Sequence, residues 1–161
     1  MSFFTKKWAI ITKVKKTLYR MSYGNRLEIS DTVTFRNGIH IYIEDTGLVE
    51  IGDNTFFNNY CSITSMNQVI IGSDCLFGEG VKIYDHNHKF RDGMNPIAKQ
   101  GFSIGTVTIG NNCWIGANVI ILKDSHIGNH CVIAAGVVIE GEIPSNTIVY
   151  RDGTQKRMEA K

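Results

Sequence analysis

Only two prolines occur in 161 residues, against sixteen glycines. That balance points to many tight turns rather than rigid ones. No apolar run is long enough to span a bilayer, which argues against a transmembrane helix. Lys13, Lys15 and Lys16 break the first apolar stretch, so no secretory leader is expected and a cytoplasmic location is. Acids are missing from the start of the chain: the first is Glu28, after Lys6, Lys7, Lys13, Lys15, Lys16 and Arg20. The remaining eleven bases face fifteen acids, so a basic arm precedes an acidic body. That body, and the lack of any binding motif, argue against nucleic acid as a partner. Cys61, Cys75, Cys113 and Cys131 form no CxxC pair, which leaves a zinc site without its usual ligand spacing.

What the chain does have is a repeat. Ile109, Ile115, Ile121, Ile127, Ile133 and Ile139 recur every six residues. Upstream, Ile51, Phe57 and Ile63 start three more hexads, and after a two-residue slip so do Ile71, Phe77 and Ile83. Strand side chains alternate between faces, so Cys113 and Ile115, or Val119 and Ile121, point the same way. Three short strands joined by turns close a triangular coil, and stacked coils place Ile on Ile. Each buried Ile contributes roughly 1.5–3 kcal/mol. A coil is unstable alone, so the stack behaves as one solenoid. Twelve hexads make about four coils, with residues 29–49 a rougher continuation. All four cysteines fall at the fifth hexad position, where a buried thiol serves as a small hydrophobe.

The repeat breaks once, between Ile83 and Ile109. Long excursions from a compact repeat are uncommon and often functional. This one carries Asp85-His86-Asn87-His88 and later Gln100-Gly101-Phe102. An imidazole can take a proton near neutral pH, which suits general-base chemistry. Asp85 can orient such an imidazole.

The hexads, the Asp-His-Asn-His segment, Val107-Thr108-Ile109-Gly110-Asn111-Asn112-Cys113-Trp114-Ile115-Gly116-Ala117 and Ile127-Gly128-Asn129-His130-Cys131-Val132-Ile133-Ala134-Ala135-Gly136 together resemble the hexapeptide-repeat acyltransferases. The likeness is strongest to O-acetyltransferases of O-antigen and capsule synthesis. The resemblance implies an all-β fold: a left-handed parallel β-helix with a short N-terminal helix and one protruding loop. It divides the chain into a basic helical cap (1–25), a β-helix (26–150) with its loop at 85–106, and a tail (151–161). It implies a homotrimer that moves acetyl from acetyl-CoA to a hydroxyl of a sugar or surface glycan, with no metal. It assigns the base to His88, with His86 as second candidate and Asp85 beside them. Trp114 and Gln100 fall to the acceptor, and Gly116, Ala117, Ala134 and Ala135 to the pantetheine arm. Lys156 or Arg157 is the candidate for the CoA phosphates, in a tail that lacks the Gly-Asn-Pro-Ala-Lys ending of many members.

One alternative shares the solenoid. The γ-type carbonic anhydrases, zinc hydratases, bind their metal through three histidines, and His126 and His130, four apart, raise that alternative together with His86 or His88. At the other end of the chain, Trp8, Ile11 and Leu18, with Val14 nearby, have helical spacing. A helix there covers the open edge of the coil stack. With Phe3, Phe4 and Trp8 among lysines, weak contact with a membrane surface is the second expectation.

Overall fold

Hexads of this kind yield strands of two to four residues, which hold only when each is hydrogen-bonded above and below. The computed structural model describes residues 3–44 and 46–159, with side chains described from residue 10 onward. Its strands stack into three parallel sheets. The first holds six: Leu27–Ile29, Leu48–Ile51, Gln68–Ile71, Thr106–Ile109, Ser125–Ile127 and Glu142–Ile143. The second begins at Thr34–Phe35 and runs to Thr147–Val149, where Gln155–Arg157 adds an antiparallel edge. The third runs from His40–Ile43 to Val138–Ile139 and has five strands. The rougher continuation is thus a full first coil, and a sixth coil ends without its third strand.

Register follows the hexads. Ile29, Ile51, Ile71, Ile109, Ile127 and Ile143 stack as direct partners. Phe35, Phe57, Phe77, Ile115, Ile133 and Val149 form a second column. Ile41, Ile63, Ile83, Ile121 and Ile139 form the third. None of these residues is more than 4% exposed. A one-residue slip would turn a whole column to solvent, so the columns fix the register. The cysteines lie within the same core, and each thiol donates to a carbonyl of the next coil: Cys61 to Gly78, Cys75 to Gly110, Cys113 to Gly128 and Cys131 to Pro144. Burial pushes the Cys61 thiol up to about 11, so it stays protonated and unreactive.

The corners are tight. After the first sheet the chain turns through left-handed residues, Asn54, Asp74, Asn112, His130 and Asn146, types that tolerate this region. Between the second and third sheets, Gly116 meets the next coil so closely that a Cβ would lie 2.6 Å from the Ala135 nitrogen. Gly116→Ala must therefore push coils apart. It should cost about 1–3 kcal/mol, read as a fall in the thermal midpoint. An unchanged midpoint would show that this corner yields freely.

Helix α1 (Phe3–Tyr23) closes the N-terminal end. The first coil has no strand above it, so its carbonyls need donors. Thr12 donates to Phe35 O, Lys16 to Ser30, Asp31 and Val33 O, Tyr19 to Ile39 O and Tyr23 to Ile41 O. Lys16 is only 6% exposed, and burial pulls its ammonium below the usual lysine range. The helix covers the edge with its polar face. The side chains of Phe3, Phe4 and Trp8 lie outside the described residues.

Candidate active site

The break in the repeat is a hairpin rather than an irregular loop. His86–His88 pairs antiparallel with Phe102–Ile104, and a short 3-10 turn at Ile97–Lys99 lies beyond. It leaves the corner between the third and first sheets, from coil three to coil four. Gln100 pins its tip: the side-chain amide donates to the carbonyls of Asp92 and Asn95 and accepts from the Asp92 N–H.

Asp85 anchors the base of the hairpin. It is fully buried. Its carboxylate accepts from Ser65 Oγ at 2.7 Å, from the Met66 N–H at 2.9 Å and from the Asn67 N–H at 2.8 Å. Its carbonyl accepts from the N–H of Gly105, the residue between the returning hairpin strand and the next coil, and Asn67 Nδ2 donates to Gly105 O. Burial alone would raise the carboxyl's pKa. The bonds from Met66, His86, Ser65 and Asn67 outweigh burial and hold it below the usual carboxylate range.

The two histidines differ. His86 Nδ1 lies 2.9 Å from Asp85 Oδ1, its side chain is 15% exposed, and Phe102 meets it edge-on. His88 is exposed, and its ring centroid lies 4.5 Å from that of Phe102. His88 also lines a cavity of about 910 Å³ between the hairpin and the body, with Lys89, Arg91, Gln100, Lys123 and Glu140. His86 does not line it.

The other expected site residues lie elsewhere in the chain. Trp114 stands 57% exposed on the second sheet, between Leu76 and Val132. Gly116 and Ala117 follow it at the corner leading to the third sheet, with Ala134 and Ala135 one coil on. Lys156 is exposed on the C-terminal edge strand opposite Ile148. None of these lines the cavity that His88 lines. Hairpin and small-residue edge lie at opposite ends of the third sheet, so one chain does not bring them together. His126 pairs with Thr108 Oγ1 and His130 with Asn146 Oδ1, each at 2.9 Å. Among the described residues, no three His, Cys, Asp or Glu groups gather as a metal site requires.

Sequence reasoning did not find Ser65, Met66 and Asn67 as the seat of Asp85. The signal was the two-residue slip after Ile63: Met66 and Asn67 form the added turn, and it opens toward the hairpin.

Three in-register columns on a six-residue period define a hexapeptide-repeat β-solenoid. Residues 106–141 match the bacterial transferase hexapeptide family, described by six repeats. The putative lipopolysaccharide biosynthesis O-acetyl transferase WbbJ of Escherichia coli is 35% identical over 71% of this chain and 63% of its own length. The Escherichia coli galactoside O-acetyltransferase is 30% identical over 67% of this chain and 52% of its own. A hexapeptide-repeat-containing acetyltransferase, VCA0836 of Vibrio cholerae, solved with acetyl coenzyme A, superposes with a TM-score of 0.66. It is 25% identical, over 85% of this chain and 71% of that one. The chain therefore shares the repeat of the hexapeptide transferases over residues 106–141 and the solenoid of a solved acetyltransferase over most of its length. It spans 63% of the length of the first of these curated relatives and 52% of the second.

Proposed function

We propose that this protein is a cytoplasmic O-acetyltransferase that moves acetyl from acetyl-CoA to a hydroxyl of a sugar or surface glycan, as a homotrimer. The observation that carries the reading is the placing of His88: exposed on a pinned hairpin, facing a cavity, one sheet-width away from the small-residue edge of its own chain. A neighbouring copy supplies the missing half. Its edge at Gly116, Ala117, Ala134 and Ala135 carries nothing longer than a methyl, which suits an extended pantetheine arm lying close. Lys156 is the candidate for the CoA phosphates, and Trp114 and Gln100 border the acceptor.

His88 takes the proton of the acceptor hydroxyl as its oxygen attacks the thioester carbonyl. The C–S bond then breaks, the acyl oxygen ester forms, and the proton passes to the departing CoA sulfur. Backbone N–H groups of the coil are the donors for the oxyanion. A second reading has its own observation: the Asp85–His86 pair at 2.9 Å is the arrangement that orients an imidazole. The relatives named for O-acetyl transfer support the reaction class.

Light scattering should give the mass of three chains, and CoA release should appear with a hydroxyl-bearing glycan. A monomer with full turnover would overturn the shared cleft.

A further inference from the structure

We infer that the outer face of α1 docks on an anionic lipid surface. The inner face is already committed, since Thr12, Lys16, Tyr19 and Tyr23 bond the carbonyls of the first coil. The opposite face carries Ile10, Val14, Leu18 and Met21, exposed by 66, 54, 57 and 78%. At 3.6 residues per turn these four fall within one narrow stripe. Lys13 borders the stripe on one side and Lys15 on the other. Continuous apolar surface of this kind marks an interaction site.

Charge chooses the occupant. The helix contains five lysines and Arg20, and no acid precedes Glu28. Two such faces brought together would set lysine against lysine, which disfavours a second copy. Anionic headgroups complement both lysine borders while the stripe enters the acyl boundary. That is the arrangement of an in-plane helix. Among the described residues, no helix is long and apolar enough to cross a membrane, so the contact is peripheral. The capping bonds hold the helix across the end of the solenoid, so the surface would meet that end of the molecule. This inference does not depend on the acetyl-transfer reading.

The test is flotation of the full chain with vesicles of phosphatidylcholine alone and of phosphatidylcholine with phosphatidylglycerol. Binding should require the anionic lipid and weaken with salt. Lys13→Gln and Lys15→Gln should each weaken it roughly fivefold. The double variant Val14→Ser/Leu18→Ser should reduce it to background with an unchanged thermal midpoint, because both residues are exposed. Equal binding to both vesicle types would overturn the inference. So would unaltered binding by the serine variant, or a drop in solution mass in that variant, which would give the stripe to a second copy.

Discussion

His88→Ala should lower acetyl transfer by about 10²–10⁴-fold, the usual cost of removing a general base. The thermal midpoint should hold, because the ring is exposed and its aromatic contact is to Phe102, itself only half-buried. KM for acetyl-CoA should change little, since the base acts on the acceptor hydroxyl in the transition state. The limb of the pH profile that reports loss of the base's proton should flatten in the variant. His86→Ala provides the contrast. It removes a ring tied to Asp85 and set edge-on to Phe102, so it should loosen the hairpin and cost less turnover. If His86→Ala costs more, and takes the pH limb with it, the base is His86 and Asp85 orients it. If both variants keep full turnover, neither histidine serves the reaction.

Much of this fold was legible because a six-residue period is a strong constraint. Every hexad-leading residue from Ile51 to Ile139 that sequence spacing marked as inward is buried, and the cysteines at the fifth position are buried with them. The first coil was harder to read because Arg36 and Tyr42 follow the inward Phe35 and Ile41, where several later hexads carry Gly. The face of α1 was harder still. Helical spacing marked an apolar stripe, but the unpaired carbonyls of the first coil demanded polar donors, so Thr12 and Lys16 face inward while Val14 and Leu18 face out. At the site, sequence spacing found the histidines and the break that carries them. It could not see that the slip at Met66 and Asn67 and the break after Tyr84 meet at one corner. Solenoid neighbours lie about one coil apart in sequence, so contacts such as Met66 to Asp85 emerge only once the coils are closed.

Asp85 is where those two irregularities join, and its removal should cost the most stability of any single change at the site. Asp85→Ala strips an acceptor from Ser65, from the N–H groups of Met66 and Asn67, and from His86. Ser65 can turn to Leu48 O, which it already reaches at 3.1 Å, and His86 can meet water through its exposed edge. The Met66 N–H cannot, since that residue is only 6% exposed. A buried donor left unpaired costs about 1–3 kcal/mol. With the loss of charge-assisted bonds beside it, the total should reach roughly 2–5 kcal/mol. Asp85→Asn keeps the shape but turns an amide N–H₂ toward groups that are themselves donors, so it should fall between wild type and alanine. The pH dependence has a definite sign. The folded carboxyl titrates below its unfolded value of about 3.9. Its stabilisation is therefore complete above that pH and fades as pH falls through the depressed folded value. Acid unfolding curves of wild type and Asp85→Asn should converge in that window and separate above it. Activity measured well below both melting points distinguishes structure from positioning. If Asp85 holds the hairpin for His88, kcat falls while KM for acetyl-CoA stays, even where the variant is fully folded. If turnover per folded molecule is unchanged, the carboxylate serves the solenoid alone.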